Sequence, residues 1–154
     1  MRSFPAVDVD VVTEIQIDRP RQRVAEYAAD PDNAVEWYAS IDAVEWRSSP
    51  PAEIGSDIAS TARFLGRSLT YTYRIVELVA GERLVMSAAE GPFPMETTYT
   101  WRDTPDGGTR MTLRNRGRPR GFVGVASPLM ARSMRRANVK DLRQLKAILE
   151  AEPR

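Results

Sequence analysis

The sequence predicts an α+β fold in which one antiparallel sheet of seven strands covers a long C-terminal helix. Three observations support this prediction. Residues 7–17 alternate between apolar and polar positions, as a strand with one buried face does. Residues 41–117 repeat that alternation in six further segments, and residues 127–149 carry an apolar stripe with helical spacing. A sheet with one apolar face and a helix with one apolar stripe bury both surfaces when they pack together.

Length and composition agree with this architecture. The chain has 154 residues, and we treat residues 1–154 as a single domain. Apolar residues make up 42% and charged residues 28%, which is ordinary for a globular protein. The longest apolar stretch, residues 122–131, is too short to span a bilayer, and the N-terminus lacks the long apolar core of a signal peptide. We therefore expect a cytoplasmic protein.

The sequence contains no Cys and no His, which removes several kinds of chemistry. Without Cys there are no disulfides or thiolate nucleophiles, and without His there is no His base and no usual zinc site. No spacing of Asp and Glu suggests a metal site, so we expect no metal and no cofactor. Catalysis would have to use carboxylates, Tyr, Lys, Arg, Ser, Thr or bound water, and no catalytic residue is assigned.

Two short helices are predicted after the first strand. Pro20 suits the first turn of a helix, where its missing N–H leaves nothing unsatisfied. Asp30 and Pro31 then provide an N-cap and a first helical residue for a second helix, which we expect to end near Trp37 or Tyr38. We expect Trp37 to pack under the sheet edge and Tyr38 to reach the rim of a cavity.

The six further strands are expected at residues 41–48, 56–64, 68–79, 83–90, 94–103 and 109–117. The "TPDGG" segment between the last two is a strong hairpin signal. Glu77 falls on the inward side of its strand beyond Ile75, and we expect a bulge or the end of the sheet there.

Several side chains that alternation directs toward the helix are aromatic or polar: Tyr71, Tyr73, Thr97, Tyr99, Trp101 and Asn115. One interpretation is core packing. The other is a partly polar cavity, because a buried Tyr usually keeps its hydroxyl paired and small-molecule sites combine apolar walls with a few polar groups.

The last helix is expected to begin with Ser127 as N-cap and Pro128 as its first residue. Its apolar stripe contains Met130, Met134, Ala137, Leu142, Leu145, Ile148 and Leu149. Asn138 and Asp141 interrupt this stripe. A ligand, a water molecule or a backbone carbonyl could satisfy the Asn138 amide, whereas Asp141 is expected to be a boundary residue paired with Arg or Lys. Met130 and Met134 would be adaptable cavity walls.

This order of elements and four motifs together resemble the START-like superfamily of helix-grip proteins. The motifs are "IQIDRPRQRVAEYAADPDNAVEWY", "SPPAEIGSDI", "YRIVELVAGERLVM", and the final hairpin followed by "SPLMARSMRRANVKDLRQLKAIL". The subgroup that the chain resembles is the polyketide cyclase/dehydrase and lipid-transport family, over about residues 8–150. The resemblance implies a seven-stranded sheet gripping the C-terminal helix, with a cavity between them for an apolar or amphipathic ligand.

The candidate ligand-binding residues follow from the inward pattern, the helix stripe and the loop aromatics. They are Tyr38, Phe64, Tyr71, Tyr73, Phe93, Thr97, Tyr99, Trp101, Asn115, Phe122, Met130, Met134 and Asn138. Phe93 and Phe122 lie in predicted loops and could gate the cavity mouth. We expect Tyr71, Tyr99 and Asn138 to line one cavity.

The net charge of +1 hides a strong asymmetry. Residues 1–109 carry 10 basic and 18 acidic residues, a net of −8, whereas residues 110–154 carry 12 basic and 3 acidic residues, a net of +9. Either the two regions neutralise each other, or a basic face serves an anionic lipid, an acidic ligand or a partner. Nucleic acid is not expected, because no aromatic residues interleave the basic run "RNRGRPRGF".

Three functional hypotheses remain at this level. The first is a non-catalytic carrier or binding protein for a hydrophobic small molecule. The second is a cyclase or dehydratase acting on a polyketide-like substrate. The third is an interaction module that uses the basic helix face, for example on an anionic membrane surface. The sequence predicts no oligomeric state.

Overall fold

The computed structural model describes residues 9–64, 66–88, 94–117 and 127–153, without the side chains of Phe64 and Ser127. Three α-helices are described: α1 (Arg21–Ala29), α2 (Ala34–Trp37) and α3 (Ser127–Glu150), with a 3-10 turn at Pro31–Asn33 before α2. The strands are β1 (Val9–Ile17), β2 (Ile41–Trp46), β3 (Asp57–Phe64), β4 (Arg67–Val79), β5 (Arg83–Ala88), β6 (Met95–Asp103) and β7 (Thr109–Gly117). The predicted order of elements is confirmed.

The seven strands form one antiparallel sheet in the order β1-β7-β6-β5-β4-β3-β2. Strands β2 to β7 follow one another as a meander, because their connections are short. The β6–β7 turn brings Gly108 so close to β1 that a Cβ there would lie 2.9 Å from the carbonyl oxygen of Ile17. Strand β1 closes the arrangement by pairing with β7 from Val9 opposite Gly117 to Ile17 opposite Thr109.

Helix α3 packs its apolar stripe against the inner face of the sheet. Leu142, Leu145 and Leu149 are fully buried in the same core as Met111 and Leu113 of β7. The stripe is narrower than predicted, because Ala137 is exposed. No helix in the described ranges combines the length and hydropathy that crossing a bilayer requires.

A buried arginine fastens the C-terminal end of α3 to the end of β1. The Arg19 guanidinium donates hydrogen bonds to the carbonyl oxygens of Glu150 and Glu152, each at 2.6 Å. The Glu150 carboxylate in turn accepts the N–H of Asp18 at 2.8 Å. These contacts fix the helix axis against the sheet at the packed end of the core.

The predicted irregularity at Glu77 is a bulge. The β4–β5 register shifts between Ile75 and Glu77, so Ile75 stays buried while Glu77 pairs with Arg83 at 3.0 Å on the surface. A charged side chain at an inward position is thereby removed from the core at the expense of one local break in the ladder.

The predicted cap at Asp30 and Pro31 is found, but it begins the 3-10 turn that precedes α2, and α2 itself has no side-chain cap. The Asp30 carboxylate accepts the backbone N–H of Asp32 at 3.0 Å, with Pro31 at the first position. Helix α2 ends at Trp37, whose side chain is only 1% exposed. The segment is also tied to β2, because the Trp46 indole donates to Asp32 at 2.9 Å.

The charge asymmetry is neutralised within the sheet but not on α3. Across β7 and its neighbours, Arg114 pairs with Asp10 at 2.6 Å and Arg110 with Glu14 at 3.3 Å. These exposed ion pairs neutralise the charges on the strands and contribute little to the free energy of unfolding. On the outer side of α3, by contrast, four exposed cations form no ion pair among the described residues: Arg132, Arg136, Lys140 and Arg143.

Candidate functional site

A pair of hydrogen-bonded phenols joins α2 to the inner face of the sheet. Tyr38 follows α2, and alternation along β6 turns Tyr99 inward. Their hydroxyl oxygens lie 2.5 Å apart. The Trp37 ring lies 4.2 Å from the Tyr38 ring and 5.7 Å from the Tyr99 ring, and Trp101 meets Tyr99 edge-on at 6.0 Å. These residues form an aromatic cluster between the second helix and the sheet.

All the inward phenols remain protonated at neutral pH. Burial raises the pKa of Tyr38, an effect that the hydrogen bond to Tyr99 opposes and the charge of Asp141 increases. Burial likewise raises the pKa values of Tyr73 and Tyr99. The pKa of Tyr71 is also raised by burial, with the neighbouring Ser60 hydroxyl opposing the shift. Neutral phenols can both donate and accept hydrogen bonds, so this wall suits an uncharged polar ligand.

Asn138 places an unsatisfied amide inside the apolar stripe of α3. Its side chain is 5% exposed, and its Nδ2 is buried with no hydrogen-bond partner among the described residues. Leaving such a donor unpaired in a core costs about 1–3 kcal/mol. The unpaired amide therefore either lowers the stability of the fold without serving a ligand, or it donates a hydrogen bond to a bound molecule.

Asp141 lies one turn after Asn138 and is buried as well. The expected ion pair with Arg or Lys is not found among the described residues. Its carboxylate instead accepts the backbone N–H of Ala39, just after α2, at 3.1 Å. Burial raises the pKa of Asp141, while the Ala39 hydrogen bond and the nearby Lys140 oppose this shift. The carboxyl thus fixes α3 to the end of α2 and holds its proton more tightly than a surface Asp.

Other buried donors in the interior also lack partners among the described residues. These are the indole Nε1 atoms of Trp37 and Trp101, and Nε of Arg19 at the packed end of the core. Native cores leave few such groups unpaired. The aromatic cluster therefore holds two donors without partners among the described residues.

Two predicted polar residues satisfy each other. Thr97 donates from Oγ1 to Oδ1 of Asn115 at 2.9 Å, between facing positions of β6 and β7. This pairing lowers the cost of burying both side chains and leaves the Asn115 amide nitrogen as the group that could contact a ligand.

The remaining predicted site residues are placed as follows. Tyr71 and Tyr73 are half-buried on β4, and Met130 and Met134 are half-buried on α3. Phe93 and Phe122 lie outside the described residues, and so does the side chain of Phe64.

Two cavities border the phenol pair. A crevice lined by Tyr73, Met86 and Tyr99 has a volume of about 20 Å³, enough for about one water molecule. An open groove of about 640 Å³ runs between α2 and α3, with Tyr38 and Asp141 in its wall. Tyr38 thus lines the outer groove while its hydroxyl contacts Tyr99 in the crevice. Tyr71 and Asn138 line neither space, so the single cavity expected for Tyr71, Tyr99 and Asn138 stays a prediction.

Sequence reasoning missed Asp141 and Ser60 as interior groups. Asp141 had a visible signal, since it occupies the same stripe as Asn138 and Leu142, but it was expected to be a boundary residue paired with Arg or Lys. Ser60 lies in a strand of small residues, and the sequence does not show which face of that strand is buried.

Comparisons with known proteins agree with this fold. TTHA0849 from Thermus thermophilus is similar in structure with a TM-score of 0.79 and 21% identity, covering 94% of this chain and 99% of its own. The Zhui aromatase/cyclase from Streptomyces sp. R1128 gives a TM-score of 0.78 and 18% identity over 93% and 94% of the two chains. Major latex-like protein 151 from Panax ginseng gives 0.71 and 12% identity over 92% and 97%. Identities this low show a shared fold and not a shared function.

No curated protein matches the sequence significantly. The family model described as "Polyketide cyclase / dehydrase and lipid transport" matches residues 8–150, which is nearly the whole chain. The strand order, the gripped helix and this match agree. The chain belongs to the polyketide cyclase/dehydrase and lipid transport family.

Proposed function

We propose that the protein binds an amphipathic small molecule that carries hydrogen-bond acceptors between the sheet and α3, and that binding opens a larger space there than the crevice of about 20 Å³. The observation that carries this proposal is the Asn138 amide, whose Nδ2 is buried without a partner among the described residues, in a stripe that is apolar except for Asn138 and Asp141. A ligand carbonyl or ether oxygen would satisfy that donor and recover the desolvation cost of leaving it unpaired.

The chemistry around Asn138 supports an oxygen-bearing ligand over a plain hydrocarbon. Two further donors of the described interior, the indole N–H groups of Trp37 and Trp101, also lack partners among the described residues. The phenols of Tyr38 and Tyr99 are neutral because burial raises their pKa values. A hydrocarbon would leave these donors unpaired, whereas a molecule with keto or ether oxygens would satisfy some of them.

Two probes with the same carbon frame test this preference. Menadione carries two ketone oxygens that 2-methylnaphthalene lacks, and the absence of Cys prevents the quinone from alkylating a thiol. Ligand-observed NMR titrations should give menadione an affinity at least about fivefold higher. Equal affinities, or binding of the hydrocarbon alone, would contradict the proposal.

Substitutions on α3 test whether menadione binds at Asn138. Asn138→Leu should weaken menadione binding about fivefold and leave 2-methylnaphthalene within about twofold. Gln144→Leu adds the same side chain at an exposed position of the same helix and serves as the matched control. Native mass spectrometry of the purified protein would show whether an oxygen-bearing molecule is retained.

A second candidate function is a dehydratase or cyclase, and the burial of Asp141 favours it. A carboxyl with a raised pKa can protonate a leaving hydroxyl, which departs as water, and the carboxylate so formed can take the proton from the adjacent carbon as the double bond forms. The test substrate is 4-hydroxy-4-phenylbutan-2-one, whose loss of water gives a conjugated enone with strong ultraviolet absorbance. Turnover that Asp141→Asn abolishes, with menadione affinity unchanged, would support the enzyme; no turnover above background would favour the carrier.

A further inference from the structure

The outer side of α3 carries four basic residues on consecutive turns. Arg132, Arg136, Lys140 and Arg143 are all exposed, and we call them the basic stripe. Their spacing of four, four and three residues places them in one row about 16 Å long, since a helix rises 1.5 Å per residue. Like charges at such spacing destabilise a helix slightly, so the row is not explained by helix stability.

The stripe differs from Arg135 and Lys146 of the same helix because its members lack ion-pair and hydrogen-bond partners among the described residues. Among the described residues, none of its four members forms an ion pair or hydrogen bond. By contrast Lys146, on the same helix, pairs with Glu150 at 2.7 Å. The one acid between residues 127 and 149 is Asp141, which is buried, is bonded to Ala39 and interacts with the charge of the neighbouring Lys140.

The groove beside the stripe does not neutralise it. Lys140 and Arg143 line one wall of the groove between α2 and α3, and acids line the other. Of those acids, Asp42 pairs with Arg63 at 3.3 Å, whereas Glu36 accepts the neutral Tyr27 hydroxyl and keeps its negative charge. Arg132 and Arg136 do not line the groove, so their charge faces outward without compensation from the described residues.

The composition of this face favours a lipid surface over a protein or nucleic acid. Between the cations lie the small exposed residues Ser133 and Ala137, and near the helix start Leu129 is 67% exposed. Protein hot spots centre on large aromatic anchors and single-stranded nucleic acids stack on aromatics, and no exposed aromatic accompanies the stripe on α3 as described. A flat anionic surface needs only a row of cations in one plane, with a modest apolar side chain nearby.

We propose that the basic stripe docks the protein on an anionic lipid bilayer. This surface is separate from the interior between the sheet and α3, and the proposal stands whether or not that interior takes a ligand. Each cation brought near an anionic membrane raises the partition coefficient about fivefold, and the gain falls as salt screens the charges.

The test is co-sedimentation with vesicles of phosphatidylcholine alone or with one quarter phosphatidylserine. Binding is expected only with phosphatidylserine, at about 50 mM salt, and should largely disappear at about 500 mM. Arg136→Glu/Lys140→Glu should lower the partition coefficient by at least about 25-fold, from about fivefold per cation removed.

The matched control has the same change in net charge on the sheet. Arg67→Glu/Arg102→Glu replaces two exposed cations of β4 and β6 that make no ion pair among the described residues. It should bind phosphatidylserine vesicles within about threefold of the parent protein. Circular dichroism checks that both variants fold.

Several outcomes would overturn the proposal. They are no sedimentation with phosphatidylserine vesicles at low salt, equal binding to both vesicle types, an equal loss in both variants, and tighter binding to an oligonucleotide than to vesicles. An acidic peptide that binds in place of the vesicles would also assign the stripe to a protein partner instead.

Discussion

Replacing Asn138 with Leu is expected to stabilise the free protein, although the substitution is made at a buried polar position. The reason is that the Asn138 Nδ2 has no hydrogen-bond partner among the described residues, while the side chain is 5% exposed in the apolar stripe of α3. Leucine has the same branched shape and the same number of side-chain heavy atoms, is somewhat larger, and has no donor to desolvate, so the substitution removes a cost without opening a cavity.

The size of the effect follows from the cost of one unsatisfied buried donor, which is about 1–3 kcal/mol. Allowing for imperfect packing of the new methyl groups, the free energy of unfolding should rise by about 1–2 kcal/mol. For a domain of this length that corresponds to an increase in Tm of roughly 2–8 °C. Urea titrations followed by tryptophan fluorescence measure the change, provided that the m-value is unaltered.

Asn115→Leu is the matched control, because it makes the same substitution at an amide that is satisfied. The Asn115 Oδ1 accepts the Thr97 hydroxyl at 2.9 Å, so leucine there strands a donor and should lower the free energy of unfolding by about 1 kcal/mol. If Asn138→Leu destabilises the protein as Asn115→Leu does, then the Asn138 amide is satisfied in the free protein. The inference of a ligand-directed donor would then fail.

Two further predictions concern the residues around the groove. Tyr38→Phe and Tyr99→Phe should each lower the free energy of unfolding by about 1 kcal/mol, and the double variant by less than their sum, since their hydroxyls contact each other at 2.5 Å. Additive losses in urea titrations would argue against that bond. For Asp141, burial raises the pKa in the folded state, so its contribution to stability falls as pH rises from the unfolded value of about 3.9 through the folded pKa. Asp141→Asn should therefore gain stability relative to the parent between about pH 4 and about pH 7, and a difference that is the same at both pH values would contradict the shift.

The sequence was sufficient for the architecture because two periodicities dominate it. Alternation along β6 turned Tyr99 and Trp101 inward, and both are 3% exposed in the structure. Helical spacing placed Leu142 and Leu145 on the buried side of α3. Even the bulge at Glu77 was predictable, because a charged residue at an inward position has to leave the core.

The site was less predictable because its contacts join residues far apart in sequence. Asp141 was expected to be a boundary residue paired with Arg or Lys, but its partner is the Ala39 N–H, 102 positions earlier. Tyr38 and Tyr99 likewise meet across 61 positions. Periodicity states which way a side chain points along its own element, and only the packing of α2 against α3 decides what it meets.

Helix α3 carries both proposed activities on opposite sides, and this geometry makes them separable. Asn138 and Asp141 face the core, whereas Arg136 and Lys140 face away from it. A substitution on either side leaves the contacts of the other unchanged, so Asn138→Leu should retain vesicle binding and Arg136→Glu/Lys140→Glu should retain menadione affinity. If loss of the basic stripe also weakened menadione binding in the absence of vesicles, the two sides would be coupled through the helix itself. The groove that both sides border, between α2 and α3, would then be the place to look for that coupling.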